Sequence, residues 1–241
     1  MYEKAHIDGD IVAYRCGAAT EHADENIARW QAGEMMNRIL HETNSVGYNC
    51  FLTGSDNFRF DIYSDYKANR RDAPKPRHLG AIREYLVEYW QAKVTDGFEA
   101  DDAMGMEQCL EPDSSIICSI DKDLLMIPGW HYNFVKQESR LVSPLEGLRH
   151  FYWQLIMGDR TDNIQGYDGK MRQKVPKFLE SKMEELEHLT EEIDMYNLVK
   201  DMHYDIDVMH IMGKCLWIWR KENDIWVPPH ERENDVDTSP S

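Results

Sequence analysis

A mostly parallel α/β sheet followed by a helical subdomain is the fold class this sequence predicts, and three observations predict it. Short apolar runs alternate with segments of helical period up to about Ser143. From Pro144 the texture changes to helices joined by short loops. Acids stand where successive apolar runs end, the position at which open α/β sheets carry their ligands.

The elements follow in order. "AHIDGDIVAYR" reads as a first strand entering a polar turn and then a helix. Residues 24–43 read as a helix carried by Ile27, Trp30, Met35, Ile39 and Leu40. "GYNCFLTG" is a second strand, stopped by Gly54. Residues 78–92 repeat apolar positions at Leu79, Ile82, Leu86, Tyr89 and Trp90, close to the helical period. "AKVTDGFEADDAMGMEQCL" gives a short strand, a turn at Asp96-Gly97 and a helix that opens in acids. "SIICSID" is the next strand and "HYNFVK" a further one. Beyond Pro144, Leu145, Leu148, Tyr152, Leu155 and Ile156 share a helical face, and helical patterns run on to about Trp219. The division expected is 1–143, 144–228 and a polar, acidic, disordered tail 229–241.

The chain has 241 residues, enough for one sizeable domain with an appendage or for two small ones. No apolar run approaches a membrane span, and "MYEKAHIDGD" lacks the basic-then-apolar form of a signal peptide. Five scattered cysteines without a C-x-x-C pair read as reduced core residues of a cytoplasmic protein. A formal net charge of −17 argues by itself against a nucleic-acid binder. The distribution reverses that inference. Lys67, Arg70, Arg71, Lys75, Arg77 and Arg83 fall in one window, and Arg160, Lys170, Arg172, Lys174, Lys177 and Lys182 in another.

The acids at the strand ends are Asp8 and Asp10, then Glu99, Asp101 and Asp102, then Asp121 and Asp123; "GDRTDN" adds Asp159 and Asp162 after a helix. Any one of them has a plain explanation as a helix cap. The set does not. Two carboxylates about 4 Å apart repel by roughly 4 kcal/mol at an effective dielectric of 20. If a sheet gathers several, divalent cations with oxygen ligands, Mg²⁺ or Mn²⁺, are the natural counter-charge. Two such ions would form a clamp for phosphoryl chemistry.

"DGD", "NFR…DYKANR" (Asn57 to Arg70), "EADD" (Glu99 to Asp102), "SIDKDL" (Ser119 to Leu124) and "GDRTDNIQG" (Gly158 to Gly166) stand in the order of the 5′ nucleases, and the sequence resembles a phage-type 5′→3′ exonuclease of the flap-endonuclease family over residues 5–180. The resemblance implies a PIN-like α/β domain with a short arch at about 64–98, then a helix–three-turn–helix module gripping duplex backbone. It implies two Mg²⁺ ions, replaceable by Mn²⁺. Asp8 would join the metal cluster, in which Glu99, Asp101, Asp102 and Asp121 would hold the first ion and Asp123, Asp159 and Asp162 the second. Lys67 and Arg70 would act beside the scissile phosphate. Arg15, Tyr66, Arg71, Lys75 and Arg77 would meet DNA, with Tyr66 stacking on a base. Gly166, Gly169, Lys170, Arg172, Lys174 and Lys177 would hold phosphates, beside a K⁺ ion in the family pattern. The substrate implied is duplex DNA with 5′ ends or flaps, RNA primers included, cut by a monomer in the cytoplasm of a host cell.

Two departures stand out. Gly54 occupies the place where the family closes its second strand with an acid, and Met171 replaces the third glycine of the turn, which tells against the K⁺ site. Two other functions compete. A phosphatase of the haloacid-dehalogenase type would use Asp8 as a covalent nucleophile and have no use for "YKANR" or "EADD". A catalytically silent DNA-binding homologue would keep the fold without cleavage.

Overall fold

The structure is a computed structural model that describes residues 1–232, and the chain packs as two units. The first comprises Met1–Phe58, Ala73–Pro144 and Ile218–Asn223; the second takes Arg59–Asp72, Leu145–Trp217 and the chain from Asp224.

The first unit is built on a sheet that is six-stranded among the described residues: β1 (Tyr2–Asp8), β2 (Ser45–Leu52), β3 (Lys93–Val94), β4 (Ser115–Cys118), β5 (Gly129–Asn133) and β6 (Glu138–Val142), in the order β3-β2-β1-β4-β5-β6. The first five are parallel and β6 runs antiparallel to β5. Ile7 lies opposite Cys50 of β2 and Cys118 of β4, which fixes the register at the centre. Alternation along β1 sends Ala5 and Ile7 to one face and His6 and Asp8 to the other.

The Ala5 face is covered by α1 (Gly9–Ala19), α2 (Glu25–Thr43) and α4 (Leu79–Trp90); the one-turn helix α3 (Arg59–Ile62), which precedes α4 in the chain, belongs to the other unit. On the opposite face α5 (Ala100–Leu110) packs against β1, β2 and β4. The expected stripe on α2 is only partly the buried one. Ile27 and Trp30 are 49% and 64% exposed, while Ala28, Ala32, Met36 and Ile39 enter the core. Small residues are needed there because α4 packs closely: a Cβ on Gly33 would stand 2.7 Å from the Tyr85 hydroxyl.

The last strands also differ from expectation. "HYNFVK" straddles the end of β5 and a turn in which the Asn133 side chain accepts the amides of Val135 and Lys136 and Gln137 takes a left-handed φ of 58°. The partner strand β6, "ESRLV", is mostly exposed and has no apolar alternation to announce it.

Residues 64–98, expected as an arch, are divided. Arg59–Asp72 belong to the second unit, whereas α4 buries Ile82 and Leu86 in the first unit's core, at roughly 1.5–3 kcal/mol each.

In the second unit α6 (Pro144–Met157), α7 (Glu180–His188), α8 (Glu192–Met202) and α9 (Ile206–Leu216) bury Phe151, Leu155, Leu186, Met195, Val199 and Met212. An aromatic group ties the core together: Phe151 meets Trp217 and Trp226 edge-on or tilted at 4.9 and 5.4 Å. The buried Arg59 guanidinium donates to the carbonyls of Cys215 and Trp217, both at 2.8 Å, closing the C-terminal end of α9. Of the expected disordered tail, Pro229–Arg232 form a short helix, α10, in which Arg232 pairs with both oxygens of Glu192. The remainder, 233–241, lies outside the described residues.

Candidate functional site

The strand order places a topological switch between β1 and β4. From β1 the chain moves outward through β2 and β3 on one side, then crosses to β4 on the other. A crevice at the carboxyl ends of those two central strands follows from that topology. Asp8 ends β1 there. It caps α1, its Oδ1 accepting the Ile11 amide at 3.0 Å, and its Oδ2 accepts the hydroxyl of Ser119, just past β4, at 2.7 Å. Ser119 Oγ in turn accepts the Asp121 amide at 3.0 Å, and Asp121 Oδ1 accepts the Asp123 amide at 2.9 Å. "SIDKD" is thus a chain of local turns that fixes both acids relative to Asp8.

Three further acids are pinned by contacts of their own. Asp10, in the first turn of α1, accepts the Thr53 amide at 2.8 Å and pairs with Arg83 from α4. Glu99 caps α5 in a reciprocal box, its carboxylate accepting the Asp102 amide while Asp102 Oδ2 accepts the Glu99 amide at 3.0 Å. Asp102 is completely buried, and its Oδ1 accepts the amide of Trp219 at 3.0 Å. Asp101, Asp121 and Asp123 are partly exposed.

Gly54 has a structural cause. A Cβ there would stand 2.1 Å from the Thr95 carbonyl oxygen, so β2 and the strand beside it leave no room for a side chain at that corner. Asp56 accepts the amide of its neighbour Asn57.

Burial pushes the Asp8 carboxyl up to about 7, and the charges of Asp10 and Asp121 add to the rise; the Ile11 amide and the Ser119 hydroxyl oppose it. Burial first, and then the charges of Asp8 and Asp10, also raise the Cys50 thiol. Among the described residues, no three His, Cys, Asp or Glu side chains converge tightly enough to enclose an ion. The donor chemistry nonetheless fits a hard divalent cation, because the acids offer only oxygen and Asp8 is a buried carboxyl raised further by the like charges of Asp10 and Asp121.

In the second unit "DYKANR" and "GDRTDN", some ninety residues apart, form one body. Asp162 accepts the Tyr66 hydroxyl at 2.9 Å and pairs with Arg70 at 3.0 Å and Lys67 at 3.5 Å. The Lys67 amide donates to the Asp162 carbonyl, and the Asn69 and Asn163 side chains tie the two segments again through Arg160 and Asp65 carbonyls. Asp159 is buried and its Oδ1 accepts the amides of Thr161 and Asp162.

The expected stacking role of Tyr66 does not suit this geometry. The ring is only 1% exposed, edge-on to Phe60 with the Lys67 ammonium 4.8 Å from its centroid, which leaves no face for a base. The amides of Gly166 and Gly169, expected to meet phosphate, donate within the turn to the carbonyls of Lys170 and Gly166. Gly166 is needed for closeness: its Cβ would stand 2.4 Å from the Ile156 carbonyl oxygen. Arg172 is held by both oxygens of Asp168, and Lys170 lies 3.7 Å from the same carboxylate. Lys174, Lys177 and Arg160 are exposed in the second unit, as are Arg70 and Arg71, while Arg15, Lys75 and Arg77 are exposed in the first.

Residues 5–146 match the family model of the 5′-3′ exonuclease N-terminal, resolvase-like domain. The chain belongs to that family. Among curated relatives of this 5′-3′ exonuclease-family chain, DNA polymerase I of Bacillus caldotenax is 29% identical over 188 residues, covering 68% of this chain and 21% of the polymerase. A 5′-3′ exonuclease of Mycoplasma pneumoniae is 27% identical over 202 residues, covering 68% of this chain and 66% of the relative. The matched region is therefore a small part of the polymerase and just under two thirds of the exonuclease. The T5 protein crystallised with metal ions shares the fold at a TM-score of 0.62 with 13% identity, 88% of each chain being covered. The bacteriophage T5 flap endonuclease in a pseudo-enzyme-product complex with DNA and metal ions gives 0.60 with 15% identity over the same shares. At those identities the likeness is one of fold, and it includes the mostly parallel, helix-flanked sheet expected from the sequence.

Four residues with structural roles here had none assigned from the sequence: Ser119, Trp219, Arg83, noted only as one cation of a basic window, and Arg59, only as part of "NFR". Ser119 lay within a quoted motif, and its place two residues before Asp121 was the available signal. The other three owe their roles to partners between 73 and 158 positions away, for which the sequence carries no local mark.

Proposed function

We propose that this chain is a divalent-metal-dependent 5′→3′ exonuclease and flap endonuclease acting on DNA. Family membership supports the reaction class, and the observation that carries the site is Asp8 and the Ser119–Asp123 turn facing each other across the β1/β4 switch point. The first unit's candidate ligands are Asp8, Glu99, Asp101, Asp121 and Asp123. Asp102, with both oxygens engaged by main-chain amides, is better placed to orient Glu99 than to ligate. Asp159 and Asp162 are the second unit's own candidates. Bound divalent ions supply charge for the phosphodiester and a nucleophile at neutral pH.

The chain's own contribution is positional and electrostatic. Lys67 and Arg70 present two cations on a fixed turn, at present balanced by Asp162, and a scissile phosphate would compete for them. Exposed Arg15, Arg71, Lys75, Arg77, Lys174 and Lys177 offer contacts to duplex backbone, which carry affinity without sequence choice. The phosphatase reading has a specific difficulty. Asp8 as nucleophile would have to reach a phosphorus atom directly, yet it is 3% exposed; as a ligand, its Oδ2, held by the rotatable Ser119 hydroxyl and not by a main-chain amide, keeps a second lone pair for an ion.

A 5′-labelled flap duplex incubated with Mg²⁺ tests the proposal. The expected result is release of labelled product by wild type and none above background by Asp121→Ala. Retention of the label by wild type, with the DNA bound in a gel shift, would instead identify a silent homologue.

A further inference from the structure

The chain returns to the first unit for the short run Ile218–Asn223, and what it touches there is the start of α5. The Trp219 amide donates to Asp102 Oδ1 at 3.0 Å. Its indole ring stacks with Phe58, at 4.8 Å and 22°, and with Phe98, at 5.4 Å and 29°. Its carbonyl oxygen faces Gly105 so closely that a Cβ there would stand 2.4 Å away. On either side, the Ile218 amide donates to Met126 Sδ and the Arg220 guanidinium to the Met126 carbonyl. The Trp219 indole N–H is buried and has no hydrogen-bond partner among the described residues. The ring therefore sits there for its faces and not for its polar edge.

Those faces bear on the loop that leads into the acids. Phe98 immediately precedes Glu99. Its carbonyl accepts the Thr95 hydroxyl at 2.6 Å, and the Gly97 carbonyl accepts the Phe58 amide at 2.9 Å. Phe58, Trp219 and Phe98 thus form a cluster of stacked rings, and Phe98 is joined through the chain to a candidate ligand.

Resting on the nuclease reading above, we propose that Trp219 is a positioning residue for the divalent-ion site. Its amide fixes Asp102, and through the reciprocal cap Glu99. Its ring holds the Phe98 loop in register with the end of β1. The run after the helical unit thereby serves ion affinity, although it contributes no ligand of its own.

The test is Mn²⁺ binding to the full chain without DNA, followed by electron paramagnetic resonance, with circular dichroism to establish folding. Trp219→Leu is expected to weaken Mn²⁺ binding by about tenfold, and Trp219→Phe, which keeps a ring and removes the unpartnered N–H, by no more than about threefold. In cleavage assays the Leu variant should need more metal for half-maximal rate, yet approach the wild-type rate at saturation. A folded Trp219→Leu that binds Mn²⁺ as wild type does overturns the proposal. If Trp219→Leu does not fold, Phe98→Leu removes the other half of the same stack at a partly exposed ring, and unchanged binding there overturns it equally. Wild type that binds Mn²⁺ but leaves DNA intact defeats the nuclease reading alone, and the positioning role is then judged on binding. Wild type that binds no Mn²⁺ defeats both.

Discussion

Asp8 shows most directly what burial does to a single side chain. Its carboxyl ordinarily titrates near 3.8 and is held up at about 7, first by burial and then by Asp10 and Asp121. Between those values the folded protein keeps a proton that the unfolded chain has released. The stability this group contributes is therefore full below about 3.8 and lost as pH rises through about 7, an effect of up to roughly 4 kcal/mol. Metal-free protein should show a thermal midpoint that falls over that window, and Asp8→Asn should flatten the fall, since the amide oxygen can still accept from Ile11 while the amide NH₂ donates to the Ser119 hydroxyl oxygen. A variant with the wild-type slope would show that another group titrates there. The sequence marked Asp8 as an acid at a strand end. That it is buried, capped and repelled by its neighbours follows from packing, which a single position does not reveal.

Among the elements, glycines separate close packing from mere local freedom. Gly166→Ala would drive a Cβ against the Ile156 oxygen at 2.4 Å and the Gly158 nitrogen at 2.8 Å, all main-chain atoms with nowhere to go. It should lower stability by roughly 3 kcal/mol, read as a fall in the urea midpoint. Gly80→Ala, on α4 with nothing within 4 Å, should raise stability by roughly 0.5–1 kcal/mol. Equal effects at the two positions would contradict this packing. Elements with an apolar face or a turn signal were legible beforehand, as with β1, β4, α4, α6 and the Asp96-Gly97 turn, where Gly97 has φ of 80°. Those whose partner decides their face were not. Apart from Ile39, the buried side of α2 is carried by small residues and Met because α4 lies against it, and β6 is polar because it is an edge.

At the scale of the whole molecule, net charge and site charge point the same way. A chain at −17 that also places acids around one switch point is expected to gain stability from divalent cations. At a metal concentration about a hundred times the dissociation constant, binding to the folded state alone adds roughly 2.7 kcal/mol. Mg²⁺ should therefore raise the thermal midpoint at pH 7.5, and a chelator should return it to the metal-free value. An unchanged midpoint would mean that the acids hold no ion. No helix among the described residues is long and apolar enough to cross a membrane.

By itself the sequence determined the strand–helix alternation, the acids at strand exits and an order of motifs that belongs to one enzyme family. These are local or serial properties, written in neighbouring residues and in spacing. Tertiary structure alone decided which acids are engaged by main-chain amides, why position 54 admits no side chain, why Tyr66 has no free face and how Trp219 reaches Asp102. The crowding at position 54 and the reach of Trp219 to Asp102 depend on two distant segments filling the same few ångströms, and exclusion of volume and water acts only once the chain is packed.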